Sequence, residues 1–195
     1  MAESPRRMIV GISGATGIAL GVRLLQLLRS LDVETHLVVS HAADMTREFE
    51  TDYTASDLRA LASVVHKVND IGASIASGSF RTMGMIVAPC SARTVADIAY
   101  GTTGNLLSRA ADVVLKERRR LVLLVRESPL SLVHLRAMVA ATEAGAIIMP
   151  PVPAFYTRPQ TIDALVDHIV GRALDLFDLD AGVVERWDGH KNFRE

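Results

Sequence analysis

Cysteine and tryptophan are almost missing from this chain, which has one of each among its 195 residues. The single cysteine, Cys90, cannot form an intrachain disulfide, a pattern that fits a reducing, cytoplasmic location. No apolar run approaches the roughly 20 residues that a membrane-spanning helix needs. Residues 1–7 are polar and lack the apolar stretch of a signal peptide, so we expect neither export nor a membrane partner.

The chain also lacks an excess of charge of either sign. It has 21 lysines and arginines and 22 aspartates and glutamates, which give a formal net charge of −1. Nucleic acid is therefore not expected as a partner. The six histidines and the cysteine show no His-x-x-x-His or Cys-x-x-Cys spacing, and no metal site is predicted. Asp175 and Asp178 have the D-x-x-D spacing of some metal-dependent enzymes, but a solvated face is expected near the end of the last helix.

Apolar residues are plentiful, at 49 % of the chain, and they predict a single α/β domain over residues 1–195. Continuously apolar strands alternate with amphipathic helices, which is the pattern of a parallel sheet covered on both faces. The predicted strands are 8–13, 33–40, 64–68, 85–89, 121–125 and 146–149; the predicted helices are 18–31, 42–50, 55–63, 91–99, 106–119, one opening at Ser128-Pro129, and 162–177, with a polar tail from about 178. The fold class is therefore a three-layer doubly wound sheet, Rossmann-like or flavodoxin-like, whose ligands bind at the carboxyl ends of the strands.

Glycines follow the first predicted strand in the segment Gly11-Ile-Ser-Gly14-Ala15-Thr16-Gly17. Glycines let the backbone approach an anion, and the N-terminus of the next helix supplies N–H groups and partial positive charge. The spacing is not G-x-G-x-x-G, and the second strand ends at Ser40-His41 without the acid that binds a dinucleotide ribose. The pattern favours a mononucleotide phosphate over NAD, and a tight turn that needs glycine is the alternative.

Hydroxyl groups follow the fourth predicted strand in Pro89-Cys90-Ser91-Ala92-Arg93-Thr94. Ser91 and Thr94 have the spacing of a helix cap, and the same groups suit a second anion or the polar edge of a ring. Ordinary capping explains the spacing equally well. Cys90 has no recognisable histidine partner and is interpreted as a small core residue rather than a nucleophile.

A charged pair, Arg126-Glu127, directly follows the fifth apolar strand. The arginine suits phosphate and the carboxylate suits proton transfer, although a surface ion pair is the alternative. The loop Pro153-Ala-Phe155-Tyr156-Thr-Arg158-Pro159 and Arg172 on the next helix have the composition of a cover over an apolar ligand. From the residues alone, a packed loop with a solvated arginine is the preferred interpretation there.

Taken in order and spacing, these segments resemble the UbiX-type flavin prenyltransferases, a family that includes the B component of bacterial hydroxyarylic (phenolic) acid decarboxylases. The resemblance runs from about residue 8 to residue 187. The matching segments are Gly11–Gly17, Ser77-Gly-Ser79, Pro89-Cys-Ser91 with Thr94, Arg109 to Arg119, Leu121 to Glu127, Gly145-Ala146, Pro153-Ala-Phe-Tyr156 and Arg186-Trp187.

The resemblance implies a flavodoxin-like homo-oligomer, often a dodecamer, that binds FMN at its subunit interfaces. Members of the family transfer dimethylallyl from dimethylallyl phosphate to N5 of reduced FMN and close a fourth ring at C6, without a metal. The product, prenylated FMN, passes to a UbiD-type decarboxylase of aromatic acids.

The resemblance also implies roles for individual residues. The residues expected to contact FMN are Gly14, Ala15, Thr16, Ser40, Ser91, Ala92, Arg93, Thr94 and Arg126. The residues expected around the prenyl phosphate are Glu50, Lys116 and Glu127, in catalytic roles, with Tyr156 and Arg172 as substrate contacts and Ser77–Ser79 lining the same region. Ala92-Arg93 replaces a Met-Lys pair common in the family, Thr16 replaces a serine of some relatives, and the loop before Ser77 lacks a tryptophan that others have.

Two other functions stay open at this point. FMN-dependent cysteine decarboxylases of the same superfamily depend on an early histidine, for which His36 and His41 are candidates, although His36 should lie within the second strand. The second open function is that of a non-catalytic subunit in an aromatic acid decarboxylase complex.

Overall fold

The computed structural model describes residues 6–187 and Gly189. Its strands are β1 (Arg7–Ile12), β2 (Glu34–Val39), β3 (Val64–His66), β4 (Gly84–Cys90), β5 (Arg120–Val125) and β6 (Ala146–Ile148). Its helices are α1 (Ile18–Ser30), α2 (His41–Glu50), α3 (Ala55–Ala60), α4 (Ala92–Ala99), α5 (Leu106–Lys116), α6 (Leu132–Glu143) and α7 (Ile162–Asp175), with a short 3₁₀ turn at Ser74–Ala76.

The six strands form one parallel sheet in the order β3-β2-β1-β4-β5-β6. This is the doubly wound 3-2-1-4-5-6 arrangement, so the predicted fold class is confirmed. The strand order reverses between β1 and β4, because the chain moves outward on one side of β1 and then returns to its other side. A ligand crevice is expected at the carboxyl ends of these two strands.

Both faces of the sheet are buried, as the uninterrupted apolar strands predict. Alternate residues of β1, such as Met8 and Val10, join the core beneath α1 and α7, while Ile9 joins the core beneath α4, α5 and α6. Parallel strands covered on both sides need apolar residues at every position, and this explains why the strands could be located from sequence.

Helices α3 and α5 each end three residues earlier than predicted, and two further differences concern α6 and the segment after α7. Helix α6 begins at Leu132 rather than at Ser128-Pro129, because Ser131 caps it: the Ser131 Oγ accepts from the His134 N–H, and the His134 ring accepts from the Ser131 N–H. The segment from residue 178 is not simply a polar tail. Leu179 is buried in the core, and the methyl groups of Val184 lie close over Gly171 of α7.

Among the residues that the structure describes, no helix has the length and apolar composition needed to cross a bilayer.

Candidate active site

The two strands at the reversal point are joined by Ser13, which follows β1 directly and is 1 % exposed. Its N–H and its hydroxyl both donate to the Pro89 carbonyl, at 3.2 and 3.1 Å, and its Oγ accepts from the Ser91 N–H at 2.8 Å. The sequence analysis did not select Ser13 as a site residue. The available signal was a hydroxyl continuing an apolar strand at its carboxyl end, where a buried polar group needs partners.

Three helices point their N-termini at one cleft beside this junction. Ser40 caps α2, Ser91 caps α4 and Asn105 caps α5, each with its side-chain oxygen accepting from a backbone N–H of the first turn. The Ser91 and Thr94 hydroxyls lie 3.0 Å apart, so the predicted cap pair exists. Converging N-termini concentrate partial positive charge and suit a phosphate group.

The cleft has a volume of about 480 Å³, within the usual range for a small-molecule site. Its lining residues are Gly14, Ser40, His41, Ala42, Val68, Asn69, Ser91, Ala92, Arg93, Thr94, Asp97, Asn105 and Glu127. Seven of these were expected from sequence. His41 was a candidate only for the alternative cysteine decarboxylase function. Ala42, Val68, Asn69, Asp97 and Asn105 were not expected, and the N-cap pattern of an asparagine before the apolar run of α5 was the signal for Asn105.

Gly14 allows the glycine turn to sit against α2. A Cβ placed on Gly14 would lie 2.4 Å from the Cβ of Ala42, so any side chain there would push the turn away from the cleft wall. Ala15 stabilises the turn through its N–H, which donates to the Ser13 carbonyl at 2.8 Å. This segment is therefore both a tight turn that needs glycine and a part of the cleft wall.

The N-terminus of α1 is not open, contrary to the sequence-based expectation. Glu50, the last residue of α2, accepts hydrogen bonds from the Gly17 N–H at 2.8 Å and the Ile18 N–H at 2.9 Å, and the Thr16 side chain also bonds to it. Partial burial raises the pKa of Glu50. The hydrogen bonds and the charge of Arg126 lower the pKa by a larger amount, so it lies below its ordinary value.

Arg126 and Glu127 are neighbours in the chain with different surroundings. Glu127 lines the cleft and its carboxylate accepts from the Ser128 N–H at 3.2 Å. The Arg126 backbone N–H donates to the Cys90 carbonyl at 2.9 Å, and its charge acts on the Glu50 carboxylate. The strand end thus presents a carboxylate to the cleft and a cation toward the α1 turn.

Lys116 lies elsewhere. It is the last residue of α5, and its Nζ donates to the Glu117 carboxylate at 2.5 Å. A Cβ on Gly78 would lie 2.9 Å from that Nζ, so the Ser77–Ser79 loop packs beside Lys116. This group sits where β5 begins, whereas Glu127 follows its end. Six strand residues separate the two edges by about 20 Å, and one chain does not bring Lys116 and Glu127 together.

Tyr156 and Arg172 form a third group, on the α7 side of the sheet. The Tyr156 ring meets the His168 and Trp187 rings edge-on, with centroids 5.7 and 5.6 Å apart. Asp175 accepts from Arg172 at 2.7 Å and from Arg186 at 2.9 Å. The hydrogen bond from Arg186 holds the pKa of Asp175 below its ordinary value. Partial burial raises this pKa, and the hydrogen bond from Arg172 lowers it. Asp175 is thus an ion-pair centre rather than part of a solvated face.

Cys90 is fully buried, and burial raises the pKa of its thiol, so the thiolate needed for nucleophilic attack is disfavoured. The part of the chain that the structure describes contains no group of three or more His, Cys, Asp or Glu residues arranged to hold a metal ion.

Comparison with known proteins identifies the kind of site. Residues 1–174 match the family model described as Flavoprotein. The flavin prenyltransferase UbiX of Neisseria meningitidis serogroup B is 58 % identical over 184 residues, which cover 94 % of this chain and 97 % of that protein.

Two solved structures share the fold closely. The crystal structure of AnUbiX (PadA1) in complex with FMN and dimethylallyl pyrophosphate has a TM-score of 0.95 at 56 % identity, covering 96 % of this chain and 100 % of that one. The dodecameric FMN-dependent UbiX-like decarboxylase from Escherichia coli O157:H7 has a TM-score of 0.92 at 53 % identity, covering 94 % and 100 %.

Proposed function

This chain belongs to the UbiX-type flavin prenyltransferases of the flavoprotein family, and we propose that its cleft between β1 and β4 holds reduced FMN while a dimethylallyl group is joined to it. The observation that carries the proposal is the convergence of three helix N-termini and the Glu127 carboxylate on that cleft. The helix N-termini suit the phosphate of FMN, and the Glu127 carboxylate suits the proton transfers of the reaction.

FMN binding is assigned to the wall that the glycine turn and two helix starts build. Ser40, Ser91 and Thr94 offer hydroxyls at the N-termini of α2 and α4, where backbone N–H groups add partial positive charge. Gly14 and Ala15 bring backbone close to the ligand. The remaining residues assigned to FMN are Thr16, Ala92, Arg93 and Arg126.

The reaction forms a bond from N5 of reduced FMN to the allylic carbon and breaks the carbon–oxygen bond of the prenyl phosphate, whose oxygen keeps the electron pair. N5 gives up its proton in this step. A second bond then joins C6 to the far carbon of the prenyl double bond; that double bond is consumed, its other carbon takes up a proton, and C6 loses its own proton. Reduced flavin is the nucleophile, so the protein need not supply one. Cationic groups stabilise the leaving oxygen, and Glu127 is assigned to carry protons.

Neighbouring subunits are assigned to complete this site. Lys116, which we propose as a cation for the leaving phosphate, lies at the opposite edge of the sheet from Glu127. Tyr156 and Arg172 lie in a third place, beside α7. A homo-oligomer in which the edge bearing Lys116 meets the cleft of another copy would unite these groups, and the dodecameric relative from E. coli supports such an assembly.

The product fits a role as a cofactor supplied to another protein. We propose that prenylated FMN passes to a UbiD-type decarboxylase of aromatic acids, and that both proteins act in the cytoplasm.

The direct test is mass spectrometry of the flavin after the purified protein is incubated with reduced FMN and either dimethylallyl phosphate or dimethylallyl pyrophosphate. The flavin should gain one C5 unit. An unchanged flavin mass with both donors would refute the proposal.

One observation keeps the cysteine decarboxylase function as a second candidate: His41 lines the cleft. His36 does not, since it is buried in β2 and bonded to Glu34 at 2.9 Å and His66 at 3.0 Å. A cysteine-containing peptide would bleach oxidised FMN in this protein if that candidate were right, and the prenyl donors would leave the flavin mass unchanged.

A further inference from the structure

Helix α1 begins without a cap of its own. Its N-cap is Gly17, in the left-handed region at φ 106°, with no side chain to accept a hydrogen bond and no acidic residue in the first turn. The other long helices beside the cleft each begin with a serine or asparagine cap. The first N–H groups of α1 therefore need an acceptor from another part of the chain.

Glu50 supplies that acceptor from 33 residues away. One carboxylate oxygen accepts both the Gly17 and the Ile18 N–H, and the Thr16 side chain bonds to the same carboxylate. The group is thus held from three sides and faces the Arg126 charge as well. The Gly17, Ile18 and Thr16 groups that bond to Glu50 belong to this turn or begin α1, and they favour the ionised carboxylate.

We infer that Glu50 is a positioning residue, a fixed internal hydrogen-bond acceptor that caps the N-terminus of α1 and holds the Gly14–Gly17 turn in the shape that FMN requires. The inference rests on the proposed function, because it assigns FMN contacts to that turn. It also places the FMN phosphate at the N-termini of α2 and α4 rather than at α1, because the first N–H groups of α1 already donate to the Glu50 carboxylate.

The test is chemical rescue of Glu50→Ala by formate, with no prenyl donor present. Removing the carboxylate exposes the two N–H groups, and loss of a helix cap of this kind should lower the Tm by roughly 2–6 °C. A loosened turn should also weaken FMN binding by about tenfold. Sodium formate should restore both quantities, relative to sodium chloride at the same ionic strength, because a small carboxylate can occupy the vacated position.

The matched control is Asp57→Ala. Asp57 completes the cap of another helix, α3, where its carboxylate accepts from the Thr54 N–H at 2.9 Å. This variant should lose Tm and keep its FMN affinity. If Glu50→Ala behaved in the same way, with Tm lowered and FMN affinity unchanged, Glu50 would be a structural cap only and the inference would be wrong.

Glu50→Gln covers the case in which the alanine variant does not fold. Its amide oxygen can accept the same two N–H bonds, so FMN affinity should stay within about threefold of the parent value. A tenfold loss in Glu50→Gln, or no response of Glu50→Ala to formate, would overturn the inference. These readouts use FMN alone, so failure to form prenylated flavin would refute the proposed reaction and leave the role of Glu50 standing.

Discussion

Lys116 and Glu127 lie at opposite edges of one sheet, joined by the length of β5: the lysine precedes the strand and the glutamate follows it. Both are assigned to one reaction. If one subunit's lysine serves another subunit's glutamate, two separately inactive variants should restore activity when their oligomers are dissociated and reassembled together.

Mixing Lys116→Ala with Glu127→Gln should therefore regenerate intact sites. In an equal mixture, about a quarter of the sites combine a normal lysine with a normal glutamate. Prenylated flavin should form at about that fraction of the parent rate, measured by timed mass spectrometry. Activity that stays at the level of the single variants after reassembly would mean that both residues act within one chain, or that one of them has no role.

Arg126 and Glu127 should separate binding from chemistry. Arg126→Ala removes a cation and should weaken FMN or prenyl phosphate binding by about ten- to a hundredfold, the effect of losing a charge-assisted bond worth about 1.5–3 kcal/mol. Glu127→Gln keeps the size of the side chain but cannot take a proton, so FMN should bind nearly as before while prenylation slows by ~10²-fold or more. Fluorescence titration and single-turnover rates measure the two effects, and each variant is the control for the other.

Ser13→Ala should loosen the junction between β1 and β4. The Ser91 N–H would lose its acceptor in a buried place, at a cost of about 1–3 kcal/mol of unfolding free energy. Urea unfolding measures this, and FMN titration should show weaker binding because Ser91 is part of the cleft wall. Ser30→Ala is the control: its hydroxyl donates only to the Leu27 carbonyl of the same helix, so stability should change little.

Asp175→Asn should reduce the dependence of the unfolding free energy on pH in the acidic range. The pKa of Asp175 is lowered in the folded state, so its stabilisation is present above the unfolded value of 3.8 and is lost as pH falls through the folded pKa. The variant should be less stable than the parent at pH 7 and should lose less of its unfolding free energy between pH 5 and acidic pH. Asp178→Asn is the control, since the Asp178 side chain is 96 % exposed and its arginine neighbour is 4.0 Å away. Equal profiles for Asp175→Asn and the parent would contradict the ion-pair assignment.

The fold could be predicted because each strand and helix carries a local signal. Strands buried on both faces are continuously apolar, and Thr161 caps α7 as expected from its position before an apolar run. The start of α6 was missed because two signals compete within four residues. Proline at a first helical turn favoured Ser128-Pro129, while the hydrogen bonds that decide the boundary are those of Ser131 and His134.

The site could be predicted only where its residues follow strand ends. Gly14, Ser40, Ser91 and Glu127 are such residues, and the parallel sheet brings them to one edge. The contact of Glu50 with Gly17 could not be read from sequence, because it depends on how α2 packs against α1. The separation of Lys116 from Glu127 likewise appears only when the direction of α5 relative to β5 is known.

The three converging N-termini have a consequence for how ligand affinity responds to acidity. Peptide dipoles carry no proton to lose, so their attraction for a phosphate is the same in mildly acidic and mildly basic buffer. His41 is the histidine among the residues that line the cleft. In a His41→Gln variant, any change of FMN affinity near pH 6 should therefore report the second ionisation of the ligand's own phosphate, at a pKa of about 6, rather than a change in the protein.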